Sequence, residues 1–256
     1  MSDVSVLILR APGTNCELET AHAWEQVGAR TRSVHINVLL GQPSLLSEVQ
    51  ILTIPGGFSY GDDVSAGKIM ASAIDTFLSG ALVDFVAAGK LILGICNGFQ
   101  VLVKTGLLPG GTFGKASVTL AFNTSGRYET RWVHLKPVSG RCRFVDGEGL
   151  LFLPVAHAEG RVVACDEQIV ERLNQRGHVA FRYTDEQGRP GPYPVNPNGS
   201  VDSIAGLTDQ TGQVLGLMPH PERHVHFTHH PFWTKSPKDR APDGLRLFQA
   251  AVASLG

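Results

Sequence analysis

Short, nearly unbroken apolar runs recur along the first hundred residues: Val4 to Leu9, Ile51 to Ile54 and Leu91 to Ile95. A run of that length without alternation suits a strand covered on both faces, and this restricts the chain to few architectures. Between the runs the period changes. Ile74, Phe77, Leu78, Leu82, Phe85 and Val86 fall at helical spacing and Gly89 supplies a stop. Thr14-x-x-Glu17 has the form of a capping box, opening a helix through Leu18, Ala21 and Trp24 that ends at Gly28, with a further strand near residues 31 to 36. Strands alternating with helices predict an α/β fold with a mostly parallel central sheet, right-handed crossovers and helices on both faces. Ligands in such sheets lie beyond the carboxyl ends of the strands, so the loops at 12–16 and 55–63 and the turn at Cys96 are expected to converge.

After about residue 115 the pattern shifts to β-like pieces, Arg131 to Leu135, Leu151 to Val155, His178 to Tyr183 and Val214 to Met218, which predict a mixed or antiparallel region. The proline-rich stretch 191–199 reads as a rigid loop and Leu245 to Leu255 as a final helix. With 256 residues, 43% of them apolar, and no repeat or convincing linker, one domain spanning 1–256 is expected, with a His-rich segment and helical tail at 225–256. The 22 basic and 23 acidic residues leave a net charge of −1, which argues against a strongly basic nucleic-acid binder and an acidic disordered tail. No basic leader and no run near ~18 apolar residues appears, so neither export nor a membrane is expected. The four cysteines form no C-x-x-C pair, which favours a reducing compartment, the cytoplasm.

Gly94-Ile-Cys96-Asn-Gly98 sits where a buried strand must turn sharply into a helix. Two flanking glycines allow that bend and raise the cysteine above the sheet edge, the geometry of a nucleophile elbow. The helix N-terminus favours the thiolate, and the Asn97 N–H points where an oxyanion would form. A base is available in Pro219-His220-Pro221-Glu222, where an extended His-x-Glu places imidazole and carboxylate on one face. The glycine-rich loop after Ile54 offers a second amide, from Gly57, and matches no phosphate-binding fingerprint. His220, His224, His226, His229 and His230 crowd eleven residues, but their spacing fits no standard zinc motif and no metal is expected. Cys16 lacks the elbow glycines and reads as structural.

Gly94-x-Cys96-x-Gly98-x-Gln100 with a late His220-x-Glu222 resembles the class I (triad) glutamine amidotransferases. Gly13-Thr-Asn-Cys16, Gly56-Gly-Phe-Ser-Tyr-Gly-Asp62, Asn123-x-Ser-x-Arg-Tyr128, Ala156-His-Ala-Glu-Gly160, Asn196-Pro-Asn-Gly-Ser200 and Pro219-His-Pro-Glu-Arg223 narrow the resemblance to the glutaminase subunits of phosphoribosylformylglycinamidine synthases. Ala158 stands where that family usually has glycine. The resemblance implies a flavodoxin-like sheet and a Cys96–His220–Glu222 triad, with oxyanion donors at Gly57 and Asn97 and substrate held by Gln100. It implies glutamine as substrate and a γ-glutamyl thioester. Ammonia would pass to a partner synthetase subunit, possibly with a third small subunit, and ATP and Mg would sit on that synthetase, leaving no cofactor in this chain. A stand-alone cysteine hydrolase of the G-x-C-x-G type is the alternative enzyme reading, although such hydrolases order Cys, Asp, His. A subunit that keeps the fold without catalysis is the other.

Overall fold

The computed structural model describes residues 4–147, 149–235 and 241–256. In chain order the elements are β1 (Ser5–Arg10), α1 (Glu17–Gln26), β2 (Arg30–His35), α2 (Ile36–Gly41), β3 (Ile51–Ile54), α3 (Lys68–Ala87), β4 (Leu91–Ile95), α4 (Asn97–Lys104), β5 (Val118–Phe122), β6 (Glu129–Pro137), β7 (Leu151–His157), β8 (Glu159–Ala164), α5 (Glu167–Gln175), β9 (Val179–Thr184), β10 (Ile204–Thr208), β11 (Val214–Leu217) and α6 (Asp243–Ala253). Nine strands form one sheet in the order β2-β1-β3-β4-β11-β10-β9-β6-β7. The pairs from β2 to β11 are parallel and those from β11 to β7 antiparallel. The antiparallel region expected after residue 115 thus extends the parallel sheet, while β5 and β8 pair separately.

Chain direction decides where the site lies. From β1 the chain moves outward to β2 through α1, whereas β3 leads the other way to β4 through α3. Right-handed crossovers running in opposite directions place α1 and α3 on opposite faces, and the sheet has its switch point between β1 and β3. The predicted convergence there is real: Thr14 and Gly57 form an isolated bridge between the two loops, with the Phe58 N–H donating to Gly13 O at 2.9 Å. Every residue of β3, β4 and β11 is buried, which is why those runs carry no alternation. On one face Trp24 of α1 meets Phe248 of α6 edge-on at 4.8 Å, and its indole N–H donates to Thr53 of β3 at 3.0 Å.

Three local expectations fail. Thr14 does not cap α1; its hydroxyl instead accepts the Ala11 amide at 2.9 Å inside the loop, and Cys16 takes the cap position with no side-chain cap bond. Leu18 is exposed, and α1 buries Thr20, Ala23 and Trp24 instead. Phe77, assigned to the apolar stripe of α3, is also exposed. Helix α3 is long and apolar enough to cross a membrane by length and composition. It buries Met70, Ile74, Leu78, Leu82 and Phe85, as a helix covering a sheet does. Within the 225–256 tail, α6 begins at Asp243, and residues 236–240 lie outside those described.

Candidate active site

Cys96 stands between β4 and α4 with φ +51° and ψ −103°, a conformation rare for any residue with a side chain. The glycines on either side have separate steric reasons. A Cβ on Gly98 would lie 1.9 Å from Ile54 O, and one on Gly94 would lie 2.7 Å from the carbonyl of Gly98. Only glycine lets α4 start this close to β3 and β4. The Cys96 amide is anchored by Leu217 O at 2.8 Å, and its thiol faces Ala156 O at 3.8 Å.

His220 follows β11, the strand beside β4, so neighbouring parallel strands deliver the cysteine and the histidine. Its amide donates to Pro154 O at 2.8 Å, and its Nδ1 lies 2.6 Å from Glu222 Oε1. Imidazole and carboxylate are both buried, with 2% and 0% of their side chains exposed. Burial opposes charge on the ring, but the Glu222 carboxylate and the Cys96 sulfur outweigh it and hold the His220 pKa well above its ordinary value. Gly56 makes room for the ring: a Cβ there would lie 2.9 Å from His220 Cε1 and 3.5 Å from Cys96 Cβ.

The remaining expected residues lie around this group. Gly57 and Gln100 line a cleft of about 190 Å³ together with Cys96, Phe58, His157 and Glu159. The loop bridge uses the amides of Asn15 and Phe58 and leaves the Gly57 amide outside it. Asn97 is the first residue of α4, so its N–H has no partner within the helix. Its side chain ties loops together, accepting from the Ser59 amide at 3.2 Å and donating to Asp62 at 3.1 Å and to Gln100 Oε1 at 2.9 Å. Gln100 in turn donates to Glu159 O. Burial raises the Asp62 pKa.

Sequence reasoning missed three contributors. Cys16, expected to be structural, lies against His220, with a donor atom of each within 4.8 Å of the other, and its sulfur accepts from the Arg223 guanidinium at 3.1 Å. Burial is the main cause raising its thiol pKa. His157 is buried at the cleft, and burial followed by the charge of His220 lowers its pKa to about 3. The Asn123 Nδ2 group donates to the Arg127 and His157 carbonyls, so Asn123 Oδ1 is an acceptor and His157 Nδ1, 3.2 Å away, carries the proton. Gly160 lies under that ring, where a Cβ would meet Nδ1 at 2.5 Å. Third is Lys104, partly buried at the end of α4, which pairs with Glu159 at 2.8 Å and donates to Ala66 O, fastening the loop over the cleft. The Asn123 and Ala156–Gly160 motifs were the available signals for His157 and Glu159. Ala158 is absent from the residues with positive φ, so the side chain in place of glycine meets no backbone obstacle.

Comparison with known proteins agrees with this geometry. Residues 3–254 match the CobB/CobQ-like glutamine amidotransferase domain. The chain belongs to that family. Among similar proteins is the phosphoribosylformylglycinamidine synthase subunit PurQ of Dehalococcoides mccartyi, 48% identical over 255 residues, 98% of each chain. The subunit of the same name from Methanococcus maripaludis is 46% identical over 225 residues, 86% of this chain and 82% of that one. Of solved structures, PurLQS from Thermotoga maritima contains a chain that superposes with a TM-score of 0.75 at 30% identity, covering 99% of this chain and 100% of that one. The overall fold of this amidotransferase therefore has a solved counterpart.

Proposed function

We propose that this amidotransferase is the glutaminase subunit of a phosphoribosylformylglycinamidine synthase, acting in purine biosynthesis. The observation that carries the reading is the Cys96 elbow beside a His220 whose Nδ1 meets Glu222 at 2.6 Å. The relatives that match nearly the whole chain carry that subunit's name. In this reading the Cys96 sulfur attacks the side-chain carbonyl carbon of glutamine, and the oxygen becomes an oxyanion facing the Asn97 and Gly57 amides. His220 takes the thiol proton and gives it to the departing nitrogen, which leaves as ammonia and a γ-glutamyl thioester. Water then attacks the thioester, its proton passing through His220 to the sulfur, and glutamate is released. Glu222 holds the Nδ1–H tautomer and stabilises the imidazolium.

Gln100 lines the cleft that would hold glutamine, and its amide bonds with Asn97 and Glu159 set the cleft floor. The ammonia goes to a synthetase subunit that uses ATP and Mg to activate the amide oxygen of phosphoribosylformylglycinamide, in a cytoplasmic complex. The single-domain reading is supported by one continuous nine-stranded sheet with one hydrophobic core.

A glutamine-analogue electrophile should label Cys96. In the assembled synthase, Cys96→Ala should abolish synthesis from glutamine while leaving synthesis from ammonia. Labelling confined to Cys16, found by peptide mass spectrometry, would overturn the assignment.

A further inference from the structure

Cys16 has no part in the reaction just proposed, although one donor atom from each of Cys16, His220 and Glu222 lies within 4.8 Å of the other two. The residues come from opposite ends of the chain, Cys16 from the first residue before α1 and the other two from the segment after β11. All three are buried. Glu222 uses Oε1 toward His220, while its Oε2 is buried with no hydrogen-bond partner. A buried carboxylate oxygen left in that state is costly, and a cation would satisfy it.

Thiol, imidazole and carboxylate together are a donor set for zinc and similar borderline-soft ions, whereas magnesium and calcium select oxygen alone. A tetrahedral site with bonds of about 2.0 to 2.3 Å has donor-to-donor edges of about 3.3 to 3.8 Å, so these donors need to draw together by no more than about 1.5 Å. One thiolate and one carboxylate balance a divalent charge. Arg223, which faces the Cys16 sulfur, is itself compensated by Glu19 at 2.8 Å.

We propose that Cys16, His220 and Glu222 form a binding site for a thiophilic divalent cation of the zinc class, and that the bound ion reversibly stops turnover by taking His220 away from Cys96. One proton leaves on binding, the thiol proton of Cys16; the imidazole binds neutral and keeps its own proton on the ring nitrogen that does not ligate, Glu222 binds as the carboxylate, and no electrons are transferred. Loss of turnover rests on the glutaminase reading. Binding does not.

The test uses the full chain with cobalt(II) as the spectroscopic probe and zinc in competition with a chelating dye. Wild type and Cys96→Ala should both show a sulfur-to-cobalt charge-transfer band, which Cys16→Ser should lack. Zinc affinity of Cys16→Ser should fall by more than the roughly 10- to 100-fold that losing an outer-shell partner costs. Micromolar zinc should inhibit wild-type glutaminase, a chelator should restore it, and Cys16→Ser should resist. The proposal is overturned if the wild type shows no band, if the band survives in Cys16→Ser, or if it vanishes in Cys96→Ala. Zinc bound without a sulfur band would place the ion on the surface histidines and overturn it equally. Where Cys16→Ser fails to fold, the wild-type and Cys96→Ala spectra decide. A chain that shows the band but no glutaminase activity keeps the site and loses the functional reading instead.

Discussion

The two halves of the sheet serve the site differently. The parallel half, β2 to β11, holds the reacting groups at strand ends fixed by buried backbone: Cys96 after β4, His220 after β11, Gly56 and Gly57 after β3. The antiparallel half, with β8 beside it, supplies a wall, including Ala156, His157 and Glu159. Changes in the first half should therefore register mainly in turnover, and changes in the wall mainly in stability and in cleft shape. A large loss of stability from a triad residue, or a large loss of turnover at unchanged stability from a wall residue, would break this division.

The largest effect is expected at Glu222. Glu222→Gln keeps the shape of the side chain but removes the charge that supports the imidazolium, so kcat for glutamine hydrolysis should fall about 10³- to 10⁴-fold with KM little changed. A steady-state assay of ammonia release measures both. A fall of less than tenfold would remove His220–Glu222 from the chemistry.

Next comes the joint between the halves. Lys104 and Glu159 are each 11% exposed, and Lys104→Met would strand a buried carboxylate at a cost of about 3 to 5 kcal/mol. Denaturant unfolding should show that loss. Because Glu159 and Ala66 both border the cleft, KM for glutamine should rise more than kcat falls.

The smallest effect belongs to His157. Its pKa is about 3 when folded against about 6.5 when unfolded, so above pH 6.5 its ionisation contributes nothing. Below that the unfolded chain binds a proton that the native state refuses, and stability is lost progressively until about pH 3. Between pH 6.5 and pH 5 the contribution is about 2 kcal/mol, and His157→Gln should remove that part of the slope in a set of urea titrations. An unchanged slope would show that His157 is accessible to protons in the folded protein.

Legibility followed the same division. The runs at 51–54 and 91–95 were read to the residue because strands buried on both faces leave no alternative pattern, and glycines at 94 and 98 mark the elbow because nothing larger fits. In the other half, β10 went unread: Ile204–Thr208 is five buried residues with Gly206 in the middle, following a proline- and asparagine-rich loop. Helix α5 was missed too, since only Ile169 and Leu173 of its nine residues are buried, although Asp166 caps it by accepting the Ile169 amide at 2.8 Å. The placement of Cys16 against His220 was beyond any local pattern. It follows from the segment after β11 folding back onto the start of α1, where Arg223 pairs with Glu19, a fact about tertiary packing rather than about the residues around Cys16.

The backbone at Cys96 bears on how such a protein tolerates change. A left-handed conformation at a residue with a side chain costs about 1 to 3 kcal/mol, and glycine at the same position would be free of it. Cys96→Gly should accordingly unfold at a temperature no lower than the wild type, and by up to about 2 kcal/mol be the sturdier molecule while inert toward glutamine. Thermal unfolding monitored by circular dichroism would check this. Drift under selection for foldability alone would erase the nucleophile at position 96 first, so a cysteine retained there records selection for chemistry against the preference of the fold.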